Sequence, residues 1–154
     1  HLFSPSGESY HHTPGSKIGS FRIGSTNITP FICYDLRFAP LFWLAAAKTD
    51  VYTIIANWPI SRRNHWKTLL VARAIENQAF VIGVNRLGIS PKSQYCGDSC
   101  IVDPWGNIVF DACCEEGAFV CKIDISKVRQ TRLHFPVLND RKSFAEYEKL
   151  LENE

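Results

Sequence analysis

Three short apolar runs, each followed at once by polar residues, set the rhythm of the chain. Asn27 to Tyr34 reads as a strand with Pro30 near its start. Val51-Tyr52-Thr53-Ile54-Ile55-Ala56 and Phe80-Val81-Ile82-Gly83-Val84-Asn85 are apolar on both faces and rich in β-branched residues, the pattern of strands buried within α/β sheets. Between them the period changes. Ala39 to Thr49 carries the helical run Phe42-Trp43-Leu44-Ala45-Ala46-Ala47, and from Arg63 to Gln78 the residues Trp66, Leu69, Leu70 and Ala74 share one helix face. Beyond Asn85 the helical period disappears. Cys100–Asp103 and Ile108–Asp111 flank the turn signal Pro104-Trp105-Gly106-Asn107, and Ala118–Asp124 reads as a third strand, which predicts a meander. A basic helix over Ser126–Arg132 and a charged tail helix from about residue 140, with Phe144–Leu151 at its centre, complete the pattern. The expectation is one α/β domain with a mixed sheet.

Composition narrows the class. A length of 154 residues suits one domain with a real core. A net charge of +2 is too small to argue for a nucleic acid or an acidic membrane surface as partner. No apolar run approaches bilayer length. A soluble protein is expected. The chain has no methionine, even at position 1, so an N-terminal portion is expected upstream of His1. Of the six cysteines, Cys113 and Cys114 are adjacent and cannot bridge without strain, and Cys96 and Cys100 lack the spacing of a structural zinc site. Reduced thiols in a cytoplasmic protein are the expectation, with Cys100, Cys113, Cys114 and Cys121 in or near the meander core. The five histidines show no metal-ligand spacing, so neither metal nor cofactor is expected.

Candidate chemistry gathers where the three runs end. Cys33 closes the first run and is followed by Tyr34-Asp35-Leu36-Arg37-Phe38. Open α/β sheets place their ligand crevices at such strand ends. A sharp strand-to-helix turn there also frees backbone N–H groups for an oxyanion. A buried core thiol is the commoner role for a cysteine in an apolar run. Asn57-Trp58-Pro59 follows the second run, with Arg62 three residues on, and Asn85-Arg86 ends the third. One sheet edge thus offers a thiol, an amide beside an aromatic ring, and two guanidinium groups able to fork onto a carboxylate. Taken singly, Arg62 and Arg86 read as solvated surface.

Five ordered motifs act together: Cys33-Tyr34-Asp35-Leu36-Arg37-Phe38, Asn57-Trp58-Pro59, the helix from His65-Trp66 to Glu76-Asn77-Gln78, Gly97-Asp98-Ser99 and Asp103-Pro104-Trp105-Gly106. With them the chain resembles the nitrilase superfamily of carbon–nitrogen hydrolases, and most nearly its ω-amidase-like branch, from His1-Leu2-Phe3 to about Phe135-Pro136. Ala39-Pro40-Leu41 departs from the family's usual Pro-Glu-Leu. The resemblance implies the C-terminal portion, residues 1–154, of a single domain folded as a four-layer α-β-β-α sandwich. It implies a Glu–Lys–Cys catalytic set in which Cys33 is the nucleophile, Glu8 a supporting carboxylate and the backbone N–H of Tyr34 an oxyanion donor. Asn57, Trp58 and Arg62 are then substrate-binding residues. The family's lysine and general-base glutamate have no match in these residues and are expected upstream of His1. The implied reaction turns a short ω-amide of a dicarboxylic or 2-oxo acid into the acid and ammonia through a thioester, in a homodimer or larger oligomer. Two alternatives remain. A papain-like pair would use His65 or His134 as base, but such enzymes present cysteine at a helix N-terminus and Cys33 ends a strand. A truncated or degenerate relative would serve as a non-catalytic dimerising module.

Overall fold

Strand alternation decides which residues the helices cover. A computed structural model describes residues 1–151. Its strands are β1 (Phe21–Ile23), β2 (Thr26–Ile32), β3 (Val51–Ala56), β4 (Phe80–Asn85), β5 (Leu87–Ser90), β6 (Ser93–Cys96), β7 (Cys100–Val102) and β8 (Ile108–Asp111). Its helices are α1 (Ala39–Ala45), α2 (Arg63–Asn77), α3 (Ser126–His134) and α4 (Phe144–Glu148). Six strands form one sheet in the order β1-β2-β3-β4-β7-β8, and β5 pairs with β6 as a separate hairpin. At its centre β2, β3 and β4 run parallel with Ile28, Val51 and Phe80 abreast, so their C-terminal ends emerge at one edge.

On one face of the sheet Phe31, Tyr52, Ile54, Val81 and Val102 pack against Phe42 of α1 and Trp66, Leu70 and Ala74 of α2. Gly83 sets how closely α2 lies: a Cβ there would meet Leu70 Cδ1 at 2.6 Å and Trp66 Cζ2 at 2.9 Å. The helix stops where Gln78 turns left-handed at φ 49°, its N–H capping Ala74 and Ile75. α1 begins at Ala39 with Pro40 in its first turn, a position that needs no N–H donor. On the opposite face, Val51 and Phe80 pack with Val128 of α3 and with Ile28, Ile82, Ile101, Ile123 and Ile125. Further along the same face Ile32, Ile55 and Val84 are 63%, 57% and 50% exposed. The described residues thus supply a helix layer, a sheet and a partial cover on its far side.

Four readings change. Ala118–Asp124 forms no strand: Phe119 reaches Phe110 and Ile123 joins the Val51–Phe80 cluster, while Val120 is fully exposed. The β5–β6 hairpin lies where no strand was expected. Cys113 and Cys114 are exposed, because they occupy the turn after β8, whereas Cys96 and Cys100 are buried; all six thiols are free. The tail helix is short, ending at Glu148, and residues 152–154 of the expected domain lie outside the described residues. Among the described residues no helix is long and apolar enough to cross a membrane.

Candidate active site

The ends of β2 and β3 open onto one cleft, which the end of β4 does not line. At the end of β2 the backbone leaves the strand at Cys33, whose φ of 43° is left-handed. Such a conformation is uncommon outside glycine and persists only where its surroundings impose it. Two restraints do so here. The Asp35 carboxylate accepts the Ile32 N–H at 3.2 Å across the 3-10 turn Cys33–Arg37. From α2, the buried Arg73 guanidinium donates to the Leu36 carbonyl at 3.2 and 3.0 Å and pairs with Glu76 at 2.9 Å. A helix arginine therefore holds the far end of the turn that aims the thiol.

The cleft measures about 740 Å³ and brings together Cys33, Tyr34, Glu8, Asn57, Trp58 and Arg62, the site residues that the family resemblance implies. Arg37, Lys92, Ser93 and Tyr95 also line it. Glu8 sits on a 3-10 turn and accepts the Phe3 N–H at 2.8 Å. Trp58 is only 3% exposed, with Trp66 at 5.5 Å and the Arg37 guanidinium 4.7 Å above its ring, and its indole N–H donates to the Arg62 carbonyl at 2.8 Å. Burial pushes the Cys33 thiol above its ordinary value of 9.0. The Asn57 backbone N–H opposes this, Glu8 adds to it, Arg62 opposes it and Asp35 adds to it. Raised in this way, the thiol is protonated at neutral pH and needs a base to become a nucleophile.

Other expected residues stand elsewhere. Arg86 lies over Tyr95, 4.7 Å from the ring, and is not part of the cleft wall. His65 hydrogen-bonds Arg37 at 3.2 Å and His134 stands beside Trp105, so neither is placed as a base for Cys33. A second cavity of about 430 Å³ opens on the far face of the sheet, with Val84, Cys100, Phe110 and Phe119 in its lining.

Asn85 stood at a strand end and Asp98 in a motif, but their supporting contacts escaped the sequence reading. Asn85, at the end of β4, accepts the Trp58 N–H at 2.7 Å and donates to the Trp58 carbonyl at 3.1 Å and the Gly97 carbonyl at 2.8 Å. Behind it Asp98, fully buried, takes a forked pair from Arg63 at 2.6 and 2.8 Å, with Lys67 at 3.3 Å. Burial raises the Asp98 carboxyl, but the bonds from Arg63 and Cys96 and the charges of Lys67 and Arg63 hold it below its ordinary 3.8. The motif Gly97-Asp98-Ser99 was visible, but its partners were not. Among the described residues no group of three or more His, Cys, Asp or Glu is placed to hold a metal ion.

Residues 1–133 match the profile of the family described as carbon-nitrogen hydrolase. The chain belongs to that family. It is 38% identical over 143 residues to the 2-oxoglutaramate amidase of Bacillus subtilis (strain 168), covering 91% of this chain and 54% of that protein. It is 37% identical to the Omega-amidase YafV of Yersinia enterocolitica, covering 94% and 57%. Among solved structures, XC1258 of Xanthomonas campestris superposes with a TM-score of 0.85 at 34% identity, over 94% of this chain and 57% of its own. It is described as a CN-hydrolase superfamily protein with an arsenic adduct in the active site. The α/β fold is thus that of the carbon–nitrogen hydrolases, and the chain spans little more than half the length of these relatives.

Proposed function

We propose that a protein containing this chain hydrolyses a non-peptide C–N bond, turning an ω-amide into a carboxylic acid and ammonia through a thioester on Cys33. The observation that carries this reading is the left-handed turn that puts the Cys33 sulfur in a cleft with Glu8 and Arg62. A base takes the thiol proton and the thiolate adds to the amide carbonyl. The resulting oxyanion lies against the Tyr34 N–H, which has no partner within the first turn in which it stands. Collapse of the adduct breaks the C–N bond, the proton passes to nitrogen and ammonia leaves. Water then attacks the thioester, giving the acid and the free thiol. Base, acid and oxyanion-binding cation fall to a glutamate and a lysine outside residues 1–154. Glu8 supports them, while Asn57, Trp58 and Arg62 bind substrate. Relatives named 2-oxoglutaramate amidase and Omega-amidase support a short ω-amide of a dicarboxylic or 2-oxo acid as substrate.

An ammonia-release screen of the longer protein over short dicarboxylic monoamides, 2-oxo acids included, tests the proposal. Replacement Cys33→Ala is expected to abolish release with fold and assembly intact. Retention of more than about a hundredth of the rate overturns the nucleophile, since losing a covalent nucleophile costs far more. Residues 1–154 alone are expected to be inactive and to associate through the open face at Ile32, Ile55 and Val84, whereas the complete protein forms a homodimer or larger oligomer. Light scattering and an amidase assay check both.

A further inference from the structure

The β5–β6 hairpin brings a second cation to the cleft. Ser90 pairs with Ser93, leaving only Pro91 and Lys92 in the turn. The Ser90 hydroxyl accepts the Ser93 N–H at 3.1 Å and donates to its carbonyl at 3.2 Å, and Pro91 fixes its own φ. Lys92 therefore projects from a stiff two-residue turn. The hairpin is itself anchored to the site. β6 packs on the turn Ile60–Arg62, the Arg86 N–H donates to the Ala56 carbonyl at 3.0 Å, and the Gly97 N–H closes onto the Arg86 carbonyl at 3.1 Å.

Charge in the cleft is lopsided. Its ionic lining consists of Arg37, Arg62 and Lys92 against Glu8. Arg37 is occupied by His65 and the Trp58 ring, and Glu8 by the Phe3 N–H. Arg62 lies over the Phe3 ring at 5.8 Å, and neither it nor Lys92 has a carboxylate partner among the described residues. Two unpaired cations on independent elements facing one cavity repel each other until an anion enters, and such an arrangement selects anionic ligands.

We propose that Lys92 is a specificity-determining residue: with Arg62 it grips, from the hairpin side, the carboxylate at the non-reacting end of the substrate. This rests on the amidase reading above and assigns the acid end to two elements, the Ile60–Arg62 turn and the Pro91–Lys92 turn. A charge-assisted contact at a partly exposed position is worth about tenfold in preference.

The test uses the longer protein and two amides of equal length, a dicarboxylic monoamide and its uncharged methyl ester. Lys92→Gln is expected to lower the acid-to-ester ratio of kcat/KM about tenfold, mainly through KM, and Lys92→Arg to restore most of it. Because both cations hold one carboxylate, Arg62→Gln with Lys92→Gln should lose less than the product of the single losses. Succinate binding to the Cys33→Ala protein, followed by calorimetry, should weaken by a similar factor on Lys92→Gln. A ratio and a succinate affinity both indifferent to Lys92 overturn this proposal alone. A wild-type protein that releases no ammonia from either amide overturns the amidase reading, and this one with it.

Discussion

Two clusters of charge lie on either side of Trp58 at the same end of the sheet, and they are built on opposite principles. Behind the ring, Asp98 is sealed from water and saturated: Arg63 forks onto it, Lys67 stands at 3.3 Å, and Lys67 also reaches Asp111 at 3.2 Å. In front of it, Arg62 and Lys92 line an open cleft and neither forms an ion pair among the described residues, Glu8 being held by the Phe3 N–H. Cancelled buried charge fixes a shape, because stripping water from an ion is tolerable only when a partner replaces it. Uncancelled charge in a cleft is a binding statement, since water holds the place until a counter-ion displaces it. The two clusters are joined through Asn85, which ties the Trp58 backbone to Gly97, next to Asp98.

That contrast can be broken in order of expected effect. Removing the sealed carboxylate by Asp98→Ala should cost about 2–3 kcal/mol, below the usual cost of breaking a buried pair because Arg63 and Lys67 keep access to water. A shift of the denaturant midpoint measures it. A stable variant with altered substrate preference would mean that the network belongs to the binding site. Removing the open cation by Arg62→Ala should leave that midpoint nearly unmoved while lowering the preference for acid-bearing over uncharged amides by roughly ten- to hundredfold. Steady-state kinetics on matched amides decides this, and equal losses on both would make Arg62 structural. The smallest effect is that of acid. Asp98 is held below its unfolded value of about 3.8, so its contribution is complete above that pH and is lost as pH falls through the lower, folded value. Acid unfolding followed alongside Asp98→Asn should show a shallower slope below about pH 4 in the variant, and identical curves would remove Asp98 from the ledger.

What the sequence disclosed follows the same division between local and distant causes. β3 and β4 announce themselves through unbroken apolar runs, and α2 through Trp66, Leu70 and Ala74 on one face, because burial alone dictates those patterns. Cys33, Glu8, Tyr34, Asn57, Trp58 and Arg62 were gathered through the family resemblance that the motifs carry, and they share one cleft. The residues that hold the cleft in shape could not. Arg73 meets Leu36 across 37 positions, Asn85 meets Trp58 across 27 and Arg63 meets Asp98 across 35, and no local spacing encodes such partners. The hairpin was hidden for a different reason: Leu87–Ser90 and Ser93–Cys96 are short and half polar, and only Ser90-Pro91-Lys92-Ser93 marked the turn. In Ala118–Asp124 alternation was present, but Phe119 and Ile123 pack without forming a strand and Val120 is fully exposed.

Arg73's hold on the Leu36 carbonyl also sets a timetable. Closing a loop of 37 residues is slow compared with winding a helix or a turn, and its entropy must be spent before the contact returns anything. The left-handed elbow at Cys33 gains its second restraint, beside the local bond from Ile32 to Asp35, only when α2 docks against β4 and β7. A partly folded chain therefore has only the Asp35 contact to hold the turn, and both restraints on the thiol act together once the helix layer closes.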